Sequence, residues 1–306
     1  MMHSGFVAIV GRPNVGKSTL LNAIIGEKVA ITADKPQTTR NRIRGIYSEI
    51  DENGNLTPDE SGNMWQIVFL DTPGITKPRN KLGEYMTNTA MGTFSEVDVV
   101  LFVVDEEYSD KGGDAFILEK LSDSDTPVIL VINKMDLMEP EAFRNTYEKY
   151  ESTGVFTSII GTSASEGKNV PDVISEIKKH IGDGPKYFPE GMVTDHPERF
   201  IVQEIIREKI LHYLHEEVPH GVAIEIESYE ETPKITKINA VIYTEKKSHK
   251  GIIIGKDGRK LKGIGKSARE EIELLLGTKV YLGLWVKIKD NWRDSDYMLN
   301  NLGYKE

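Results

Sequence analysis

Gly11-Arg12-Pro13-Asn14-Val15-Gly16-Lys17-Ser18 stands between the apolar run Phe6-Val7-Ala8-Ile9-Val10 and the helix-like stretch Thr19 to Ile25. Its spacing is that of the phosphate-binding loop G-x-x-x-x-G-K-[ST], in the strand-then-helix setting such a loop needs. Glycines let the backbone curl so that its N–H groups face an anion, and the helix N-terminus behind them adds a favourable dipole. Lys17 is expected to hold the β- and γ-phosphates of a nucleotide, and Ser18 to give its hydroxyl to Mg²⁺.

Outward from this loop, β-branched runs at 67–70, 99–104, 128–132 and 158–160 alternate with helix-like stretches up to about residue 181. This alternation predicts an α/β P-loop domain over 1–181, a mostly parallel sheet with helices on both faces. Ligands of such sheets bind beyond the carboxyl ends of the strands. The breaker-rich stretch 182–197 reads as a linker, and 198–306 as a second domain. A chain of 306 residues has room for two cores.

The absence of cysteine excludes disulfides, thiolate metal sites and a catalytic thiol. No apolar run approaches the roughly 18 residues of a membrane span, and the first residues lead straight into a strand. These readings point to the cytoplasm. Net charge is −10, yet Lys246 to Arg269 holds nine Lys or Arg against the single acid Asp257. A basic segment on an acidic protein suggests a nucleic-acid surface. No internal repeat or low-complexity tract stands out.

Further motifs close later strands in order. Asp71-Thr72-Pro73-Gly74 ends the second, placing a carboxylate where it can reach the metal through water and the Gly74 N–H near the γ-phosphate. Asn133-Lys134-Met135-Asp136 ends the fourth and resembles the guanine-specificity motif of the GTPase superfamily. The Asp136 carboxylate can accept from guanine N1–H and N2–H, which adenine cannot offer, so discrimination against ATP could reach roughly 10⁴-fold. Ser163-Ala164 matches that superfamily's last element, where a backbone N–H meets guanine O6.

Lys35-Pro36-Gln37-Thr38-Thr39-Arg40 has the position of a switch I loop. By the same resemblance one of its threonines coordinates Mg²⁺ while the γ-phosphate is present, and Thr39 is favoured over Thr38. Ras-like GTPases carry a glutamine after the Asp-x-x-Gly motif; here it is Ile75, so intrinsic turnover is expected to be slow. Asn14 resembles the asparagine that helps bind K⁺ in translation-factor-like GTPases. Lys17, Thr39, Gly74 and Asn14 are therefore the expected catalytic set.

In the second half, 198–215 shows a helical apolar stripe, 222–226 and 235–243 read as strands, 259–276 as a helix and 279–288 as a strand. Gly255-Lys256-Asp257-Gly258 is the G-x-x-G turn of a KH module, here in the element order of an α+β type II KH domain. That loop clamps about four nucleotides of single strand. Lys250, Ile253, Ile254, Lys256, Arg259 and Lys260 join Gly255, Asp257 and Gly258 as the expected RNA contacts, the isoleucines touching bases. The tail 291–306 has no readable destination.

Phosphate loop, PQTTR, DTPG, NKMD and KH module, in that order, span nearly the whole chain and resemble the Era family of bacterial ribosome-assembly GTPases. The resemblance implies GTP/GDP and Mg²⁺ as ligands, K⁺ beside them, and binding to 16S rRNA near its 3′ end during small-subunit maturation. It also implies peripheral membrane association; we expect a monomer. The stretch 51–63 departs from the family pattern and reads as an extended hairpin. Other classes compete: a membrane-remodelling GTPase, an RNA chaperone with a slow GTPase timer, and a tRNA-modification GTPase. The last would need a further domain or a reactive cysteine.

Overall fold

The apolar runs read as strands form the sheet of the first unit in a computed structural model that describes residues 1–105, 113–122, 124–214 and 218–304. Contacts divide the chain into a first unit of 1–32, 39–77 and 86–195 and a second of 33–38, 78–85 and 196–306.

In the first unit the strands are β1 (Met2–Val10), β2 (Ile43–Ser48), β3 (Met64–Asp71), β4 (Val99–Val104), β5 (Val128–Ile132) and β6 (Ser158–Gly161), ordered β2-β3-β1-β4-β5-β6. All neighbours are parallel except β2 and β3. Every residue of β4 and β5 is buried, which explains why these strands read as unbroken apolar runs without alternation. On one face Val100, Phe102, Val104, Leu130 and Ile132 pack with Ala90 of α2 (Lys81–Gly92), Ile117 and Leu121 of α3 (Gly113–Ser122) and Tyr150 of α4 (Pro140–Glu151). α1 (Lys17–Ile25) and α5 (Val170–Lys178) pack together and bury Leu20, Leu21, Ile24, Val173 and Ile177.

The connection at 51–63 is a hairpin extension between the neighbours β2 and β3, with a bridge from Ile50 to Leu56. It contains a repeated turn that the sequence reading passed over. Asp51 Oδ1 accepts from the N–H groups of Asn53 and Asn55, and Asp59 Oδ1 from those of Ser61 and Asn63, all at 2.9 Å. Both pentapeptides, DENGN and DESGN, thus close by the same aspartate-capped mechanism.

The expected linker 182–197 divides. Residues 182–195 belong to the first unit. Buried Gln66 donates to the Phe188 carbonyl at 3.1 Å and accepts from its N–H at 2.9 Å. Ile46 N donates to Val193 O at 2.8 Å, and Ser4 Oγ to Pro185 O at 2.6 Å. These bonds satisfy a backbone N–H of edge strand β2 and polar side chains of β1 and β3, groups that a free linker would leave without these partners.

The second unit carries α6 (Glu198–Tyr213), β7 (Ala223–Glu231), β8 (Thr236–Thr244), α7 (Lys247–Ile254), α8 (Arg259–Leu276), β9 (Val280–Ile288) and α9 (Asp296–Asn301). β8 lies between β7, antiparallel, and β9, parallel. Ile238, Ala240 and Ile242, alternate residues of β8, pack with Ile206 and Ile210 of α6 and Ile264, Ala268 and Ile272 of α8. The end of the helix expected over 198–215 and the last two residues of the tail lie outside the described residues. The tail belongs to this unit. Trp292 is fully buried and donates to Gly221 O at 2.9 Å, and Ser295 caps α9 through Met298 N.

Candidate nucleotide and nucleic-acid sites

Four motifs of the first unit fall at the carboxyl ends of parallel strands of one sheet: the phosphate loop after β1, Asp71 at the end of β3, Asn133 after β5 and Ser163 after β6. Gly16 precedes α1 with φ 96°, and a Cβ there would stand 2.2 Å from Asn133 Nδ2, so glycine is required both for conformation and for room. Lys17 is buried, its Nζ donating to Gly11 O at 3.1 Å and Arg12 O at 2.8 Å. Burial pushes its ammonium down to about 8, against the pull of Asp71 and Asp105.

Three oxygens meet beside it. Ser18 Oγ donates to Asp71 Oδ2 at 2.6 Å and lies 2.9 Å from Thr39 Oγ1, which is 3.5 Å from the same Oδ2. Burial pushes Asp71 up to about 6, against the pull of Lys17. Asp71 Oδ1 is buried with no hydrogen-bond partner. Hard oxygen donors with an unsatisfied carboxylate oxygen fit a Mg²⁺ ion. The two threonines of PQTTR are separated here: Thr38 Oγ1 donates to Ala33 O at 3.2 Å and Lys35 O at 2.6 Å, whereas Thr39 joins the cluster.

Thr72 is buried and donates through Oγ1 to Ile9 O at 2.9 Å, which makes it a fastener between β3 and β1. Gly74 lies against Pro13, and the Ile75 N–H donates to Gly11 O at 3.2 Å, so the DTPG turn rests on the phosphate loop. The Ile75 side chain is in the core and presents no polar group to a water.

Asn133 ties the motifs together. Its Nδ2 donates to Val15 O at 2.9 Å, and its Oδ1 accepts from Ala164 N at 3.0 Å and Thr162 Oγ1 at 3.2 Å. Lys134 Nζ donates to Asn14 O at 2.6 Å. The Met135 N–H donates to Thr162 O at 2.9 Å, and Asp136 is exposed at the rim. The Ser163-Ala164 pair stands beside Asn133. Ser163 N donates to Lys168 O at 3.2 Å and Ala164 N to Asn133 Oδ1 at 3.0 Å, which ties the pair to the base motif. Arg12 pairs with Asp105 and Asp114, acids that the sequence reading did not single out.

In the second unit α7 ends at Gly255, with φ 71° and ψ 175°, where a Cβ would stand 2.7 Å from Lys260 Cβ. Asp257 (φ 55°) and Gly258 (φ 72°) complete a tight loop that opens onto α8. Lys256, Asp257 and Arg259 are exposed, while Lys250, Ile254 and Lys260 are half-buried. Ile253, expected to touch a base, is fully buried in the core, whereas its neighbour Ile252 is exposed.

A strand-ordered phosphate loop, a guanine motif and a G-x-x-G module together define a two-domain P-loop GTPase with an RNA-binding fold. Residues 6–134 match the family model described as 50S ribosome-binding GTPase, and 217–293 the KH domain model. The chain is 59% identical over 303 residues to GTPase Era of Alkaliphilus oremlandii, covering 98% of each, and 52% identical over 309 residues to GTPase Era of Clostridioides difficile, covering 100% of each. The chain therefore belongs to the Era family of GTPases. Among solved structures, a single-substitution variant of Aquifex aeolicus Era bound to GDP·AlF4⁻ shares 38% identity with a TM-score of 0.91, each chain covered completely. The same figures hold for Era in complex with MgGDPNP and nucleotides 1506–1542 of 16S ribosomal RNA.

Proposed function

We propose that this GTPase binds single-stranded 16S rRNA near its 3′ end through the G-x-x-G loop and assists assembly of the small ribosomal subunit, GTP binding and hydrolysis serving as the switch. The observation that carries this reading is the positive-φ loop 255–258 joining two helices within a segment whose one acid is Asp257. Backbone approach to a nucleotide strand needs such a loop, and phosphates need the surrounding cations. The similar Era structure holding a 16S rRNA fragment supports it.

At the nucleotide, Ser18, Thr39 and Asp71 would hold Mg²⁺, which neutralises charge on the β- and γ-phosphates when bound. Lys17 contributes a cation whose desolvation is relieved by phosphate. Asp136 reads guanine. Asn14, exposed in the phosphate loop with φ 67°, is the residue we assign to K⁺. Equal hydrolysis rates in Na⁺ and K⁺ buffers would remove that assignment. Among the described residues no helix is long and apolar enough to cross a membrane.

Fluorescence anisotropy with a labelled RNA from the 3′ end of 16S rRNA tests the RNA reading on the intact chain. Three or four neutralised phosphates give a slope of about −2 to −3 in log affinity against log salt. A scrambled RNA that binds equally well would contradict the reading.

A further inference from the structure

The strand order places the end of β4 between the phosphate loop, which leaves β1, and the base motif, which leaves β5. Asp105, the first residue after β4, occupies that point. Its Oδ2 accepts from Lys134 Nζ at 2.7 Å and its Oδ1 from Arg12 Nη2 at 3.4 Å. One carboxylate thus holds a cationic side chain from each loop. The same Lys134 ammonium donates to Asn14 O. Both Lys134 (φ 59°) and Asn14 (φ 67°) are non-glycine residues in the left-handed region, a conformation that persists where surrounding contacts over-determine it. Arg12 has a second anchor in buried Asp114, 2.8 Å from its Nε, and Asp114 also accepts from Tyr150 OH at 3.2 Å.

We propose that Asp105 is a positioning residue for nucleotide binding. Its charge holds Lys134 against the Asn14 carbonyl and so fixes the spacing between the loop that takes the phosphates and the loop that takes the base. A guanine nucleotide spans both loops, so its affinity depends on that spacing. Asp105 reaches the ligand through Lys134 and does not read the base itself. This inference rests on the nucleotide-site reading given above.

An asparagine at 105 keeps the size but removes the charge-assisted bonds, which are worth roughly a 10- to 100-fold change in an equilibrium constant. The experiment measures GDP and inosine diphosphate affinities of the full chain by competition with a fluorescent nucleotide, for the unaltered protein, Asp105→Asn, Asp105→Glu, Lys134→Gln and the Asp105→Asn/Lys134→Gln pair. We expect Asp105→Asn to weaken both nucleotides by the same 10- to 100-fold factor, because the guanine 2-amino group is not involved. Asp105→Glu, which keeps the charge, should retain most of the affinity. In the Lys134→Gln background Asp105→Asn should cost little more, a coupling that general loosening of the fold would not produce. Unchanged binding by Asp105→Asn, equal losses by Asn and Glu, or independent losses in the double variant would overturn the proposal. Failure of the unaltered chain to bind GDP would overturn the nucleotide-site reading, and this inference with it.

Discussion

Asn133→Ala removes one buried side chain that joins three loops. Its loss leaves Val15 O without the 2.9 Å donor from Nδ2, and Ala164 N and Thr162 Oγ1 without the acceptor they share at 3.0 and 3.2 Å. Asn133 is 2% exposed, so water replaces these partners poorly. A buried polar group left unsatisfied costs about 1–3 kcal/mol. Taking the low end for each of the three gives a destabilisation of about 3 kcal/mol. Nucleotide affinity should fall at least 100-fold as well, since the phosphate loop and the loops after β5 and β6 lose their common tie. Urea unfolding with and without GDP reads both effects. A stability loss below about 0.5 kcal/mol with near-normal GDP affinity would refute the argument that Asn133 is a structural tie.

Other substitutions and conditions separate the remaining parts of the account. Asp136→Asn exchanges an acceptor for a donor at the guanine edge; GDP affinity should drop by about 10³-fold or more, read by competition binding, with xanthosine diphosphate favoured over GDP. Asp71 titrates near 3.8 when unfolded and at about 6 when folded, so the folded chain binds the extra proton between those values. Its contribution to nucleotide-free stability is therefore greatest at low pH and is lost as pH rises through about 6. Mg²⁺ competes with that proton, so thermal stabilisation by Mg²⁺ with GDP should grow from pH 5 to 7.5, and this growth should shrink in Asp71→Asn; identical profiles would contradict the assignment. Gly255→Ala forces an L-residue into φ 71°, ψ 175° and a Cβ toward Lys260, a strain of about 1–3 kcal/mol. RNA affinity by anisotropy should fall at least tenfold while GDP affinity holds.

The nucleotide motifs were legible because each is a short run of sequence with a fixed relation to a strand end. Partners far apart in the chain were not. Asn133 could be assigned to the base motif from its neighbours, but its bond to Val15 O spans 118 residues. Asp105 is one acid ahead of two more, and only the β1-β4-β5 adjacency shows that it stands between two loops. Ile252-Ile253-Ile254 illustrates another limit: successive helical residues point about 100° apart, so one of three equivalent isoleucines enters the core, and composition does not say which. Structure picks Ile253. The breakers in 182–197 suggested a linker, yet a breaker-rich stretch can be bound tightly, as the reciprocal bonds of Gln66 with Phe188 show.

Steady-state hydrolysis of GTP by the intact chain in K⁺ buffer, with and without a short RNA from the 3′ end of 16S rRNA, tests the central claim most directly. The account predicts slow turnover of GTP, none of ATP, and a faster rate when the RNA is bound. ATP turnover matching that of GTP, or a GTP rate unmoved by saturating bound RNA, would contradict a guanine-specific switch coupled to rRNA.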